Sequence, residues 1–570
     1  MQDGARQGTN IQTCKHQTIA AALIFTALFL LVNGYRFGIG GGNVAFLPVL
    51  EALQGQGVDL PSDFNLLAYK YYHFNFDLLC LAFSTIMPLT TLFLAGYLLC
   101  GALFYLSITR LARVVSLDEP ARMLALSFLL LWGSNGLEAN TFWYSAQFAP
   151  YLLSWPLAIY GLAYFLEERA LAACLALALC CFVHIQTGLD VSLAVFLSLI
   201  VNLRNFQMRF AIRALLLALL LIAPLLIENL LLVPHSLLPS GELFLVQASF
   251  RSPHHFEIQP RQFLGISLCL ALAAAGMCYV RSRAVFSMER LSRLEKICSL
   301  CFVIYLLGLL HYLDFYVLRT GLIARLQFTR ISPLIQLFAI FAISKGVLAL
   351  LARTGRSAVT LAVLLGFYIG PLCLATGYFA RWSLLFCVSA VIFIYFDYSR
   401  KALKPLTQAL PLSMLGLLIC KILMVAASTQ HFFVFNPLAL KGSAWIEACL
   451  WIEQHTESTA RFITPPHQEA FMLYAKRAMV ADYFTNPHLS LDIIEWRTRI
   501  SDLSGGKELQ CRGWECLLDL RSRYALLSEE GLVRLAAKYS ARYFLTDSRS
   551  NYSFDLIYAN ADFKLYRLGS

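Results

Sequence analysis

Charge is scarce in this 570-residue chain: Asp, Glu, Lys and Arg make up only 14% of it, where soluble domains carry about 25%. With 59% hydrophobic residues and a mean hydropathy of +0.65, most of the chain must have lipid as its solvent. Long runs of one charge are also missing. The net charge of +11 sits in short basic clusters between apolar runs, as membrane-topology signals do, and this argues against a nucleic-acid partner. No G-x-x-x-x-G-K-[ST] occurs, which disfavours an ATP-driven pump. Most of the sixteen Cys lie inside apolar runs, among them Cys80, Cys100, Cys174, Cys180, Cys181 and Cys301. There they act as small hydrophobes, and no metal centre is expected of them. No A-x-A-like cleavage site follows the apolar run 18–32, so it reads as an uncleaved first span.

A span takes about 20 apolar residues. About thirteen segments qualify: 17–33, 78–106, 122–137, 150–166, 171–185, 188–203, 213–232, 263–280, 297–313, 331–351, 358–375, 382–397 and 408–428. Segments 171–185 and 188–203 share so short a link that they read as a helical hairpin or as one broken re-entrant element. With a cytoplasmic N-terminus, the inner segments hold twenty basic residues and the outer ones before the tail hold eight. The positive-inside rule therefore places the N-terminus in the cytoplasm and, with an odd span count, the C-terminus outside.

This gives a polytopic α-helical membrane domain over 1–430, with long outer loops at 34–77 and 233–262. From about residue 431 the charge rises to soluble-domain frequency. Helical spacing over 445–455, 489–503 and 531–538, and strand-like runs at 461–464, 543–546, 556–558 and 563–568, predict a small extracytoplasmic α/β domain at 431–570. Within it Cys511 and Cys516 could close a small disulfide loop or stay unpaired.

Outer-face acids are the first candidates for chemistry. Asp59 and Asp63 flank Leu60-Pro61-Ser62. They suit a general base or a ligand of a divalent metal ion, and equally a pair of turn caps. Glu138, followed by Asn140, Trp143, Tyr144 and Gln147, suits a sugar-binding wall, although such aromatics also serve as interface anchors. In Phe250-Arg251-Ser252-Pro253-His254-His255, Arg251 can bind a phosphate bidentately while His254 and His255 add hydrogen bonds. Consecutive residues diverge on a helix, so the two His are not expected to share a metal. Arg36, His184, Asp190, His311, Asp314, Arg325 and Arg330 lie in or at the ends of spans. Ionisable groups there point to a functional site, with snorkelling as the plain alternative.

The order of these pieces resembles a group of bacterial polytopic membrane proteins of unknown function, similar in architecture to the GT-C glycosyltransferases. The residues that carry the resemblance are Tyr35-Arg36-Phe37-Gly38 with Asn43 and Leu47-Pro48, Asp59 and Asp63 around a Pro, His184 with Gly188, Arg251 to His255, Arg330, and Trp445 to Pro466. It implies transfer of a sugar from a polyprenyl-phosphate donor to a glycan or protein acceptor, at the outer face of a bacterial inner membrane. An outer-loop carboxylate would be the base. The family places an acid soon after the first span, whereas here Arg36 to Asn43 contains none and Glu51 is the first. The base would then fall to Asp59, Asp63 or Glu138, with Arg36, His184, Arg251, His254, His255 and Arg330 binding substrate. Two other classes stay open: a non-catalytic export factor for a lipid-linked glycan, and a structural member of an envelope complex.

Overall fold

The computed structural model describes residues 2–354 and 433–569, apart from 41, 59–62, 70–73, 133–144, 233–244, 258–259, 261–262, 272–273, 275–287, 437–442, 488–489 and 508. Five stretches among these are helical, long and apolar enough to cross a membrane: His16–Asn33, Leu89–Val114, Met208–Glu228, Ser292–Leu318 and Ala324–Gly346. On Met208–Glu228, Leu216, Leu219 and Leu220 are 60–67% exposed, as a lipid-facing surface requires. The protein is thus a helical membrane protein, with fewer long spanning helices in the described part than hydropathy alone counts. Pro150–Leu166, Ala170–Val183 and Ile185–Val201 have 17, 14 and 17 residues. At 1.5 Å per residue they reach only about 20–25 Å. Window hydropathy cannot separate such short helices from full spans. The expected spans at 358–375, 382–397 and 408–428 lie outside the described residues.

The short link at His184 is a hairpin. His184 adopts an extended backbone, its side chain caps Ile185–Val201 by accepting from Thr187 N, and the second helix folds back on the first. A Cβ on Gly188 would lie 2.4 Å from Cys181 Cα, so only glycine lets the two backbones approach this closely.

The two ends of the bundle differ. Tyr97, in the first half of Leu89–Val114, donates to the Gly34 carbonyl at 2.8 Å. At the other end of that helix Arg110 pairs with Glu167 at 2.5 Å, Arg293 donates to the Val114 carbonyl, Lys296 pairs with Glu168 and Lys345 with Asp118. The basic segments therefore gather at one end, and the C-terminal domain sits at the opposite one.

That domain follows the expected pattern. A five-stranded sheet has the order β4-β3-β5-β7-β6, where β3 is Arg461–Ile463, β4 Ala478–Met479, β5 Tyr543–Asp547, β6 Asp555–Ala559 and β7 Phe563–Arg567. β3 runs parallel to β4 and β5, and β7 is antiparallel to β5 and β6. Helices Ala444–His455 and Glu529–Tyr539 begin at Ser443 and Ser528, whose side chains cap Ile446 N and Gly531 N. A further parallel pair joins the loop after the first span to the start of the tail: β1, Tyr35–Arg36, lies beside β2, Phe433–Val434.

Candidate functional site

Between β3 and β4 the chain leaves the sheet through Pro465-Pro466 and runs, largely buried, along the end of the helix bundle. This segment organises two groups of polar side chains. At the first, the Gly-rich loop after the first span is held from both sides. Tyr474 donates to the Gly38 carbonyl at 2.6 Å, Gln147 Nε2 donates to the Ile39 and Gly40 carbonyls, and Gly40 N donates to Glu469 Oε1 at 3.1 Å. Trp445 Nε1 donates to the Glu469 carbonyl at 2.9 Å. Burial pushes the Glu469 carboxyl up, while the Gly40 N–H and the Arg36 guanidinium draw it back. The carboxylate that the loop itself lacks is thus delivered by the tail, and Arg36 belongs with it.

Asp63 has a different task. It is fully buried; Oδ1 accepts from Asn65 N at 2.8 Å and Leu66 N at 3.0 Å, and Oδ2 accepts from Met479 N at 2.9 Å. Those bonds cap the helix Phe64–Tyr69 and fasten the loop after the first span to β4, which is the turn-cap alternative and not the geometry of a general base facing substrate. Asp59 and Glu138 lie outside the described residues.

The second group gathers the Arg-Ser-Pro-His-His loop and two bundle elements. Arg251 Cζ lies 4.9 Å over the Tyr483 ring and 4.8 Å over the Trp514 ring, and Arg251 Nη2 donates to the Phe484 carbonyl at 3.3 Å. The His254 ring stacks on Trp514 at 5.5 Å and lies 4.2 Å from the ring of His255, closer than the helical divergence of neighbours suggested. Arg330 Nη2 donates to His255 Nδ1 at 2.8 Å. Because a guanidinium only donates, that nitrogen must carry a lone pair, which makes His255 neutral with its proton on Nε2. Burial, followed by the charges of Arg251 and Arg330, lowers His254 to about 4, so it too is neutral at pH 7. Arg330 also reaches His184 and Asp190 electrostatically. Two guanidiniums and two neutral imidazoles therefore converge, a donor set suited to an anion.

Cys511 and Cys516 form a disulfide, with their Cα atoms 5.0 Å apart. It closes the loop that carries Trp514. Gly513 in that loop has φ +56°, and a Cβ there would lie 3.0 Å from Pro253 Cγ. Tyr483 Oη donates to the Phe250 and Gly513 carbonyls at 3.1 and 2.8 Å, and Arg512 donates to the Ser249 carbonyl at 3.2 Å. The closed loop is a roof over Arg251 and His254. Cys298 and Cys301 are spaced C-x2-C along the helix Met288–Tyr312, and Cys301 is buried. Among the described residues no group of three or more His, Cys, Asp or Glu could hold a metal ion.

Sequence reasoning missed Glu469, Gln147 as a clamp, Tyr483 and Trp514. A usable signal was present for the first: Pro465-Pro466-His467-Gln468-Glu469 follows the carboxyl end of a strand, where α/β sheets collect ligands.

These features define a helical membrane protein whose C-terminal α/β domain closes on one end of its bundle through a polar junction. Residues 443–503, which include Glu469 and Tyr483, match the family model described as a domain of unknown function (DUF6798). No curated protein matches the chain.

Proposed function

We propose that this protein is a GT-C-like glycosyltransferase of about thirteen spans, transferring a sugar from a polyprenyl-phosphate donor at the outer face of a bacterial inner membrane. The observation that carries the reading is the convergence of Arg251, Arg330, His254 and His255 where the bundle meets the tail. A lipid phosphate arriving from the bilayer would meet two fixed positive charges and two imidazoles there. In the transfer, an acceptor hydroxyl attacks the anomeric carbon, the bond to the phosphate oxygen breaks, and polyprenyl phosphate leaves on Arg251 and Arg330. The hydroxyl proton passes to a carboxylate. Glu469 takes that role in preference to Asp63, because it stands beside the Gly-rich loop where the resemblance calls for an acid. The disulfide supports an extracytoplasmic tail, since such bonds persist in oxidising compartments.

The test is binding and turnover of polyprenyl-phosphate sugars by the full chain in nanodiscs. Arg251→Ala should lose binding of the lipid phosphate, and Glu469→Gln should keep binding and lose transfer. Binding without transfer in the wild type would move the protein to the export-factor class. No binding of any polyprenyl phosphate would end the reading.

A further inference from the structure

Below Arg330 the bundle buries oxygens that go unanswered. Thr329 Oγ1, Ser332 Oγ and Gln336 Oε1 have no hydrogen-bond partner among the described residues, and their residues are 1%, 4% and 2% exposed. Asp190 is 0% exposed; its Oδ2 accepts from Gln186 Nε2 at 3.0 Å, while its Oδ1 is unpartnered in the same way. Spacings of three and four put Thr329, Ser332 and Gln336 on one helical face, over roughly 10 Å of axis. Gln186 Nε2 also donates to the Leu326 carbonyl. The hairpin end that bears Asp190 is thereby docked on the start of Ala324–Gly346, with Arg330 near both.

An unpartnered polar atom is costly inside a protein, and in lipid no solvent relieves it. Such groups in a span mark a place where something polar is received. What that is follows from the atoms. Asp190 Oδ1 and the carboxamide oxygen of Gln336 call for donors, while the two hydroxyls can donate or accept, so the missing partner must offer at least two donors and can also accept. A cation is opposed by Arg330, and a phosphate dianion brings no donor for Asp190 Oδ1 or Gln336 Oε1. A neutral group rich in hydroxyls satisfies all four.

We propose that Asp190, Thr329, Ser332 and Gln336 form a glycosyl-binding crevice inside the bundle, continuous with Arg330, whose oxygens exchange hydrogen bonds with the hydroxyls of a sugar. The inference rests on the reading of the Arg251–Arg330 group as the phosphate site. It places the phosphate on the tail side of Arg330 and the sugar on the bundle side, so the lipid-linked donor binds with its headgroup drawn into the protein.

The experiment uses the full chain in nanodiscs and a short-chain polyprenyl phosphate, bare or carrying one glucosyl, mannosyl or N-acetylglucosaminyl group. At least one glycosylated form should bind the wild type roughly tenfold or more tightly than the bare phosphate, the size of one good hydrogen bond to a charged group. Thr329→Val and Gln336→Leu should each erode that preference and leave affinity for the bare phosphate unchanged. The unchanged bare-phosphate affinity doubles as the control for folding. Equal affinity of the wild type for all four ligands, or an intact preference in Thr329→Val and Gln336→Leu, would overturn the proposal while leaving the phosphate site standing. Failure to bind even the bare phosphate would take both down.

Discussion

Removing Trp514 should make His254 titrate in the range where it is now silent. The indole is 46% exposed, yet its inner face covers His254 and Arg251 at once, at 5.5 and 4.8 Å. Burial is the main reason His254 is lowered from 6.5 to about 4. The sign follows from proton counting. Between pH 6.5 and about 4 the unfolded chain holds the His254 proton and the folded one does not, so stability falls as pH drops through that window. At about 1.4 kcal/mol per unit the full penalty is of order 3 kcal/mol. Trp514→Ala opens one face of the ring to water and should return His254 part of the way to 6.5, with Arg251 and Arg330 still holding it down. The variant should lose about 1–2 kcal/mol at neutral pH through the missing cation–π and ring contacts, but show a shallower fall in stability on acidification.

Ligand binding gives the sharper readout. At pH 5 the variant, unlike the wild type, carries a charged His254 beside the phosphate, an added attraction of roughly 1–2 kcal/mol, or about five- to thirtyfold. Calorimetry with a short-chain polyprenyl phosphate at pH 5 and 7.5 measures it, and the ratio of variant to wild-type affinity cancels the ligand's own titration. That ratio should rise by this factor between pH 7.5 and 5. Replacing Cys511 and Cys516 together by Ser leaves the indole in place but frees its loop, and should move the ratio the same way by less. A ratio independent of pH in Trp514→Ala would refute the argument that the roof keeps His254 neutral.

Two further perturbations test how the site is held. Asp63→Asn keeps an oxygen for Asn65 N and Leu66 N but turns an amide toward Met479 N, setting donor against donor. The loss should be about 1–3 kcal/mol, read as a lower melting temperature of the purified protein, and Asp63→Ala should cost more. If Asp63→Asn melts like the wild type, Asp63 does not fasten the loop to β4. Gly188→Ala forces a methyl group against the Cys181 backbone and should disrupt the hairpin, a strain of at least about 1–3 kcal/mol. Reduced yield and a lower melting temperature are expected, and a variant of unchanged stability would contradict the close approach.

Composition made the membrane character legible, and alternation with turn residues made most of the tail legible down to individual strands. Both signals are local, carried by runs of five to twenty residues. The Arg251–Arg330 group was partly legible for the same reason: Arg251, His254 and His255 are neighbours in the chain, and Arg330 stands out as a charge at the end of an apolar run. What stayed hidden depends on contacts between distant segments. Hydropathy could not show that Ala170–Val183 is too short to span alone, because an apolar window averages over residues and does not register where the helix ends. Asp63 looked like a candidate base because a carboxylate next to Pro61 reads the same whether it faces a substrate or three backbone N–H groups.

Glu469 shows where such reasoning has to stop. The Gly-rich loop has no acid of its own, yet a carboxylate reaches it from Glu469, 429 residues further along the chain. The contact needs the tail to lie at the same end of the bundle as that loop. The topology deduced from basic residues already required this, since it put the loop at 34–77 and the tail on one face. A stronger inference was therefore available: any polar segment of the tail at a strand's carboxyl end is a candidate to complete the loop. Pro465 to Glu469 meets that condition. If Glu469 is the transferase base, moving the carboxylate back into the loop should recover activity lost in Glu469→Gln. Gly40→Asp is a poor choice, because φ at Gly40 is +65°, in the left-handed region that favours glycine. The recoverable position is in the tail itself. Glu469→Asp keeps the charge but withdraws it by one methylene, so it should retain binding of the lipid phosphate and part of the transfer rate. Transfer equal to wild type in Glu469→Gln would remove the carboxylate from the mechanism and leave it as a clamp on Gly40.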